Sequence, residues 1–131
     1  MADAKSDYLE RATLDWALGG ATPTRPSARY VALLTAAPTD AGGGTEVTGG
    51  SYARQAATFA AAATTTGTST ATTSATLNWT NMPTAVVTHV AIYDAVTAGN
   101  LLYYGPLSAS KSLTAGDNFA INAGNLTISE N

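Results

Sequence analysis

The spacing of apolar positions changes period once along this chain. From Tyr8 to Leu18 apolar residues recur at helical intervals, whereas from Tyr30 onward they run or alternate over stretches of strand length. The first pattern predicts an N-terminal helix over residues 6–19. Asp7 is placed to cap its amides, Glu10 follows three residues later as in a capping box, and Gly19-Gly20 provides the stop. At 100° per residue, Leu9, Ala12, Thr13, Trp16 and Ala17 share one face. Leu14 and Leu18 fall on another side, beside Asp7, Glu10, Arg11 and Asp15. Either both apolar surfaces are covered by the protein's own sheet and N-terminal arm, or the Leu14/Leu18 side docks on a neighbouring subunit.

Pro23 and Pro26 make residues 21–26 a linker, because proline lacks an amide donor and biases its predecessor toward extended backbone. Tyr30 to Thr35 is apolar on both alternating faces and predicts a central strand, ended by Pro38 and Asp40. Residues 41–50 contain five glycines and predict a long exposed loop. Ser51 to Phe59 predicts a weaker strand, with Ala53, Ala57 and Phe59 on one face and Tyr52, Arg54 and Thr58 on the other. Residues 60–76, nearly all Ala, Thr, Ser and Gly, predict an extended arm or hairpin.

Further strands are predicted at Thr76–Thr80, with Leu77 and Trp79 inward, and at Ala85–Tyr93, with Val86, Val90 and Ile92 on one face and Val87, His89 and Tyr93 on the other. Leu101–Tyr104 pairs with Val90–Tyr93 across the loop 94–100, in a hairpin ending at Gly105-Pro106. Asn118–Ile121 and Leu126–Ile128 complete the set. Turn signals about every ten residues, one helix at the front and no βα alternation predict a mainly β fold: an antiparallel β-sandwich or jelly-roll-like domain with one N-terminal α-helix. Trp79, Ile92, Phe119, Ile121 and Leu126 are its predicted core. The 131 residues read as a single domain.

Composition turns attention to partners. Charged residues make up 11% of the chain, against roughly 25% in an ordinary soluble domain, so an exterior of Thr, Ser, Asn and Gly is suited to meeting other protein. A net charge of −3 with six scattered Lys and Arg argues against nucleic acid. No apolar run approaches the roughly 20 residues that span a bilayer, and the first residues lack the apolar segment of a secretory signal. A product made in the cytoplasm, with neither a nucleic-acid nor a membrane partner, is expected. The helix, the Gly-rich loop and the arm 60–76 are expected to gain order against neighbouring subunits, and the arm to be removable without unfolding the domain.

Candidate chemistry is sparse. There is no cysteine, and the single histidine, His89, sits mid-strand without a local partner motif for a metal site or a nucleophile relay. Asp40, Asp94 and Asp117 lack the alternating-oxygen spacing of a calcium loop, and Gly42-Gly43-Gly44 lacks the Lys and the strand-to-helix switch of a phosphate cradle. Tyr52, Trp79, Tyr93, Tyr103 and Tyr104 could stack on sugar, yet core packing explains the same residues. No catalytic residue, cofactor or metal ligand is assigned. Arg54, beside Tyr52 and Gln55, reads either as a clamp on a partner's carboxylate or carbonyls or as an internal strap.

The stretch Tyr30-Val31-Ala32-Leu33-Leu34-Thr35-Ala36-Ala37-Pro38-Thr39-Asp40-Ala41-Gly42-Gly43-Gly44-Thr45-Glu46-Val47, followed by Gly49-Gly50-Ser51-Tyr52-Ala53-Arg54-Gln55, resembles small virion proteins of tailed bacteriophages and prophages, commonly labelled tail fibre proteins. His89 to Ala95, Gly99 to Gly105 and Ala123 to Ile128 fit as well, and the likeness departs mainly in residues 60–75. It implies a phage structural protein and not an enzyme. A fibre needs coiled coil, triple β-helix or repeats, and none is present. The expectation is therefore a capsid decoration or cement protein that bridges the major capsid protein and copies of itself on the virion. A tail or tail-fibre component is the alternative, and a carbohydrate-binding adhesin module a second one. Leu14, Leu18, Gly43, Gly44, Tyr52 and Arg54 are the expected interface residues.

Overall fold

A computed structural model describes residues 4–130. In chain order it contains β1 (Ala4–Lys5), α1 (Asp7–Leu18), β2 (Tyr30–Ala36), β3 (Thr45–Glu46), β4 (Gln55–Ala56), β5 (Ala63–Thr65), β6 (Thr68–Thr72), β7 (Leu77–Trp79), β8 (Ala85–Tyr93), β9 (Leu101–Leu113), β10 (Phe119–Ile121) and β11 (Thr127–Glu130). The main antiparallel sheet has the order β1-β9-β8-β2, and β3 and β4 lie end to end along the outer edge of β2. Two small antiparallel sheets, β10-β7 and β11-β6-β5, complete the strands.

The sandwich follows from which side chains alternate inward. Val31, Leu33, Val90, Ile92 and Leu102 from the main sheet close on Leu77, Trp79, Ile121, Leu126 and Ile128, all buried. Phe119, predicted inside, is only partly buried, and its ring lies 5.7 Å from that of Trp79 in a tilted pair. The opposite face of the main sheet carries a smaller buried cluster of Ala32, Leu34, Ala91 and Leu101, flanked by Tyr93 and Tyr104. Burial on both faces is what the doubly apolar run in β2 predicts.

Three local expectations change. The helix is capped by Ser6, not Asp7: the chain leaves β1 at Lys5, and the buried Ser6 hydroxyl accepts from Leu9 N at 3.2 Å while donating to the Leu101 carbonyl. Gly19, at φ 82°, ends the helix in the left-handed conformation that favours glycine. In β8 the register shifts between Val87 and His89, where Leu107–Ser110 of β9 bulge between the pairs His89↔Pro106 and Val87↔Lys111. That bulge turns Val87 into the core and leaves Val86 outside. It also lets β9 run on past Gly105-Pro106, where the turn signal predicts an end.

Two segments expected to lie loose are built into the domain. The Gly-rich loop folds back on β2: Thr39 and Gly42 exchange backbone hydrogen bonds, Thr45–Glu46 pair with β2, and Val47 is buried. A Cβ on Gly44 would stand 2.9 Å from Ala36 O and Pro38 N. Residues 63–72 form a hairpin whose second strand, β6, pairs with β11 from Thr72↔Thr127 to Ser69↔Glu130. The arm therefore finds its order within its own chain.

Candidate partner interface

Between β3 and β4 the outer edge of β2 is completed at Leu33 by one backbone bond and one side chain. Val47 N donates to Leu33 O at 3.0 Å, and Leu33 N donates to the Tyr52 hydroxyl at 3.0 Å. Tyr52 in turn donates to Glu46 Oε2 at 2.5 Å. Arg54 Nε and Nη2 reach the two oxygens of Glu46 at 3.0 and 2.9 Å, and Nη1 donates to the carbonyls of Ala95 and Ala98 at 2.9 and 2.8 Å. The guanidinium carbon lies 3.8 Å above the Tyr93 ring. The Arg54 side chain is 8% exposed. It is an internal strap that ties the 94–100 loop to the edge of β2, and four of its five N–H donors are used inside the domain. Burial and the bond to Glu46 raise the Tyr52 hydroxyl pKa above its ordinary value.

A second cluster joins the two ends of the described chain. Lys5 Nζ lies 2.8 Å from Glu130 Oε1, and the Tyr103 hydroxyl donates to Glu130 Oε2. Partial burial works against the Glu130 carboxylate, but the bonds from Lys5 and Tyr103 outweigh it and hold its pKa below the usual value. On the far side of the main sheet Tyr104 donates to Asp40, whose backbone carbonyl accepts from Asp7 N at 2.9 Å.

These bonds separate the aromatic residues. Trp79 is buried in the core, and Tyr103 packs on the core side, whereas Tyr93 and Tyr104 flank the opposite cluster, so they form no single sugar-stacking platform. The loop aspartates serve their own turns: Asp94 accepts from Asn100 N at 2.7 Å and Asp117 from Thr114 N at 2.8 Å. His89 bonds to its neighbour Thr88 at 2.8 Å. Among the described residues no group of three His, Asp or Glu side chains converges on a metal-sized site, and no helix is long and apolar enough to cross a membrane.

The surface left over is the helix. No residue of α1 is buried, and only Tyr8 and Leu9, in its first turn, pack against the core. Beyond them Leu14 is 59% exposed, Trp16 74% and Leu18 80%. The protein's own sheet therefore covers only the Leu9 end of one apolar surface and leaves the Leu14/Leu18 surface open. Trp16 borders an open, mainly apolar groove formed with Leu9, Ala12, Pro23 and Pro26. The prolines hold the linker extended beside the helix, which keeps that groove from closing. Gly43 is exposed on the rim of a separate polar cleft with Asp7, Arg11 and Asn100.

Of the interface residues expected from sequence, Leu14, Leu18, Gly43 and Gly44 lie at the surface, while Tyr52 and Arg54 are engaged inside. Sequence reasoning passed over Trp16, which it assigned to the side facing the domain. It also passed over Glu46, the partner that fixes Arg54.

A family model described as podophage GP4 fiber I protein gp80 matches residues 4–129. The chain belongs to this family of phage virion structural proteins. No curated protein matches it.

Proposed function

We propose that this chain is a non-enzymatic subunit of a phage tail-fibre assembly, an attachment domain and not a shaft, joined to another virion protein through the C-terminal half of α1. The observation that carries the reading is the exposure of Leu14, Trp16 and Leu18 on one short helix whose hydrophobic residues packed on the core, Tyr8 and Leu9, lie in its first turn. Isolated surface apolar residues are ordinary, but a tryptophan bordering an apolar groove on one side of the helix and two exposed leucines on another give this short helix two open apolar sides, the composition of an interface anchor. The fibre description of the family supports the tail location. The absence of heptads and long repeats supports an attachment role.

Capsid decoration is the second reading, favoured by the compact single sandwich and the low charge. On it the major capsid protein is the partner, and the domain stabilises the shell because it binds only the assembled state. Immunogold labelling of virions with antibody to the folded domain separates the two. Gold at the tail or its fibres supports the first reading, and gold spread over the head supports the second. Incorporation of a Trp16→Ala, Leu18→Ala variant at the wild-type level, with its fold intact, overturns the helix as the attachment element.

A further inference from the structure

The β5-β6 hairpin leaves one sheet edge open. Its turn residues Thr66 and Gly67 have φ of 51° and 83°, the paired positive values of a tight two-residue hairpin. Thr65↔Thr68 therefore closes the turn with exchanged hydrogen bonds, Thr64↔Ser69 is the non-bonded pair, and the Thr64 N–H and C=O point away from β6. Among the described residues neither group has a backbone partner. All three residues of β5 are exposed.

Natural sheets guard such an edge with charge, proline or a cover. At the other side of this small sheet, β11 carries Glu130 in its pair with Lys5. At β5 there is no such guard: no Asp, Glu, Lys or Arg occurs between Arg54 and Asp94, and the only proline there is Pro83. The charge balance also selects the occupant. Two copies of a chain with net charge −3 repel one another over most of their surface. They meet at least cost where neither carries charge, while a basic partner would find nothing to pair with at this edge.

We propose that the occupant of the β5 edge is a second copy of this chain, paired antiparallel across a twofold axis with Thr64 opposite Thr64. Each Thr64 N–H then donates to the carbonyl of the other, and Ala63 of each copy lies opposite Thr65 of the other. Two three-stranded sheets become one continuous sheet. The twofold uses the same patch on both copies, so the contact closes at a dimer. The small side chains of Ala63, Thr64 and Thr65 let the two edges approach to strand spacing without a clash of bulk.

Sedimentation of the full chain at rising concentration tests this, with Thr64→Lys and Thr64→Glu prepared separately and mixed. The wild type is expected to dimerise reversibly, with the Thr64 amide gaining hydrogen-exchange protection as the dimer fills. Each variant alone places like charges face to face and should associate about tenfold more weakly. The equimolar mixture places opposite charges across the axis and should recover association. Circular dichroism confirms that the variants are folded, and Thr64→Pro, which removes only the outward donor, should also be monomeric. A wild type that stays monomeric throughout, variants that dimerise as it does, or a mixture that recovers nothing would each overturn the proposal.

Discussion

Arg54 and Glu46 are joined by two parallel hydrogen bonds, at 3.0 and 2.9 Å, across the gap between two strands that lie end to end on β2. The pair closes the segment between them, and the same guanidinium holds the carbonyls of Ala95 and Ala98. Removing one partner strands the other in a largely enclosed place. Arg54→Ala should therefore cost about 2–4 kcal/mol in urea unfolding, and Glu46→Ala nearly as much. Arg54→Lys should recover little of it, because a single ammonium cannot span both oxygens and both carbonyls. A double-mutant cycle that returns no coupling between positions 46 and 54 would show that the strap is ornamental.

The tyrosine hydroxyls give the fold an alkaline limit. Burial and Glu46 raise the pKa of Tyr52, burial and Glu130 raise that of Tyr103, and the bond to Asp40 with some burial pushes Tyr104 up to about 12. A group whose pKa is higher folded than unfolded contributes stability that is complete below the unfolded value, about 10, and is lost as pH rises above it. Urea midpoints should be insensitive to these groups at neutral pH and fall between about pH 10 and 12. Glu130 has the opposite sign: its lowered pKa contributes stability above the ordinary carboxylate value, lost as pH falls through the folded one. Tyr104→Phe should remove part of the alkaline fall. An unchanged alkaline curve in that variant would separate Tyr104 from the effect.

What the sequence disclosed and what it hid divide by the range of the interaction. The run Tyr30–Thr35 and the hairpin of Val90–Tyr93 with Leu101–Tyr104 were legible, because alternation and a Gly-Asn turn are local signals. The place of residues 60–76 was not. Ala and Thr give no apolar alternation there, and the strand that fixes them, β11, lies at the other end of the chain. The bulge opposite Thr88 was hidden for a related reason, since a single register shift exchanges the two faces of β8 without altering its composition. The Ser6 cap lost to Asp7 because both residues are capping types, and only the pairing of β1 decides where the chain turns. The Arg54 site was legible as a choice of residue types, but its carbonyl partners lie 41 and 44 residues away.

Residues 62–74 should not be dispensable. A short Gly-Ser replacement removes β6, leaves the backbone of β11 unpaired, and uncovers Ile128, which is 8% exposed in the intact domain. The loss combines two strands of a three-stranded sheet with the cover of a buried isoleucine, so the deletion should lower stability by several kcal/mol, on the order of 3–5. Thermal unfolding followed by circular dichroism measures it. A deletion variant that unfolds at the wild-type temperature would return the hairpin to the status of a separate arm.

The two tryptophans report on different parts of the molecule. Trp79 is 1% exposed in the core, and its indole N–H has no partner among the described residues; Trp16 is 74% exposed on the helix. Trp79→Ala should therefore cost about 3–5 kcal/mol through lost burial and the cavity left behind, and Trp79→Phe less, since one six-membered ring is kept, a smaller void is left and no hydrogen bond is broken. Trp16→Phe or Trp16→Ala should change stability by about 1 kcal/mol or less, because only about a quarter of the residue is withdrawn from water at that site. In the free protein, acrylamide should quench Trp16 and leave Trp79 bright. Mixed with virions or fibre assemblies lacking this chain, the protein should lose that quenching and shift its emission to the blue, and Trp16→Ala should bind at least about tenfold more weakly, as expected when a desolvated tryptophan anchor is lost. If Trp16 stays quenchable in the bound state, the attachment surface lies elsewhere on the sandwich, and the exposed helix needs another explanation.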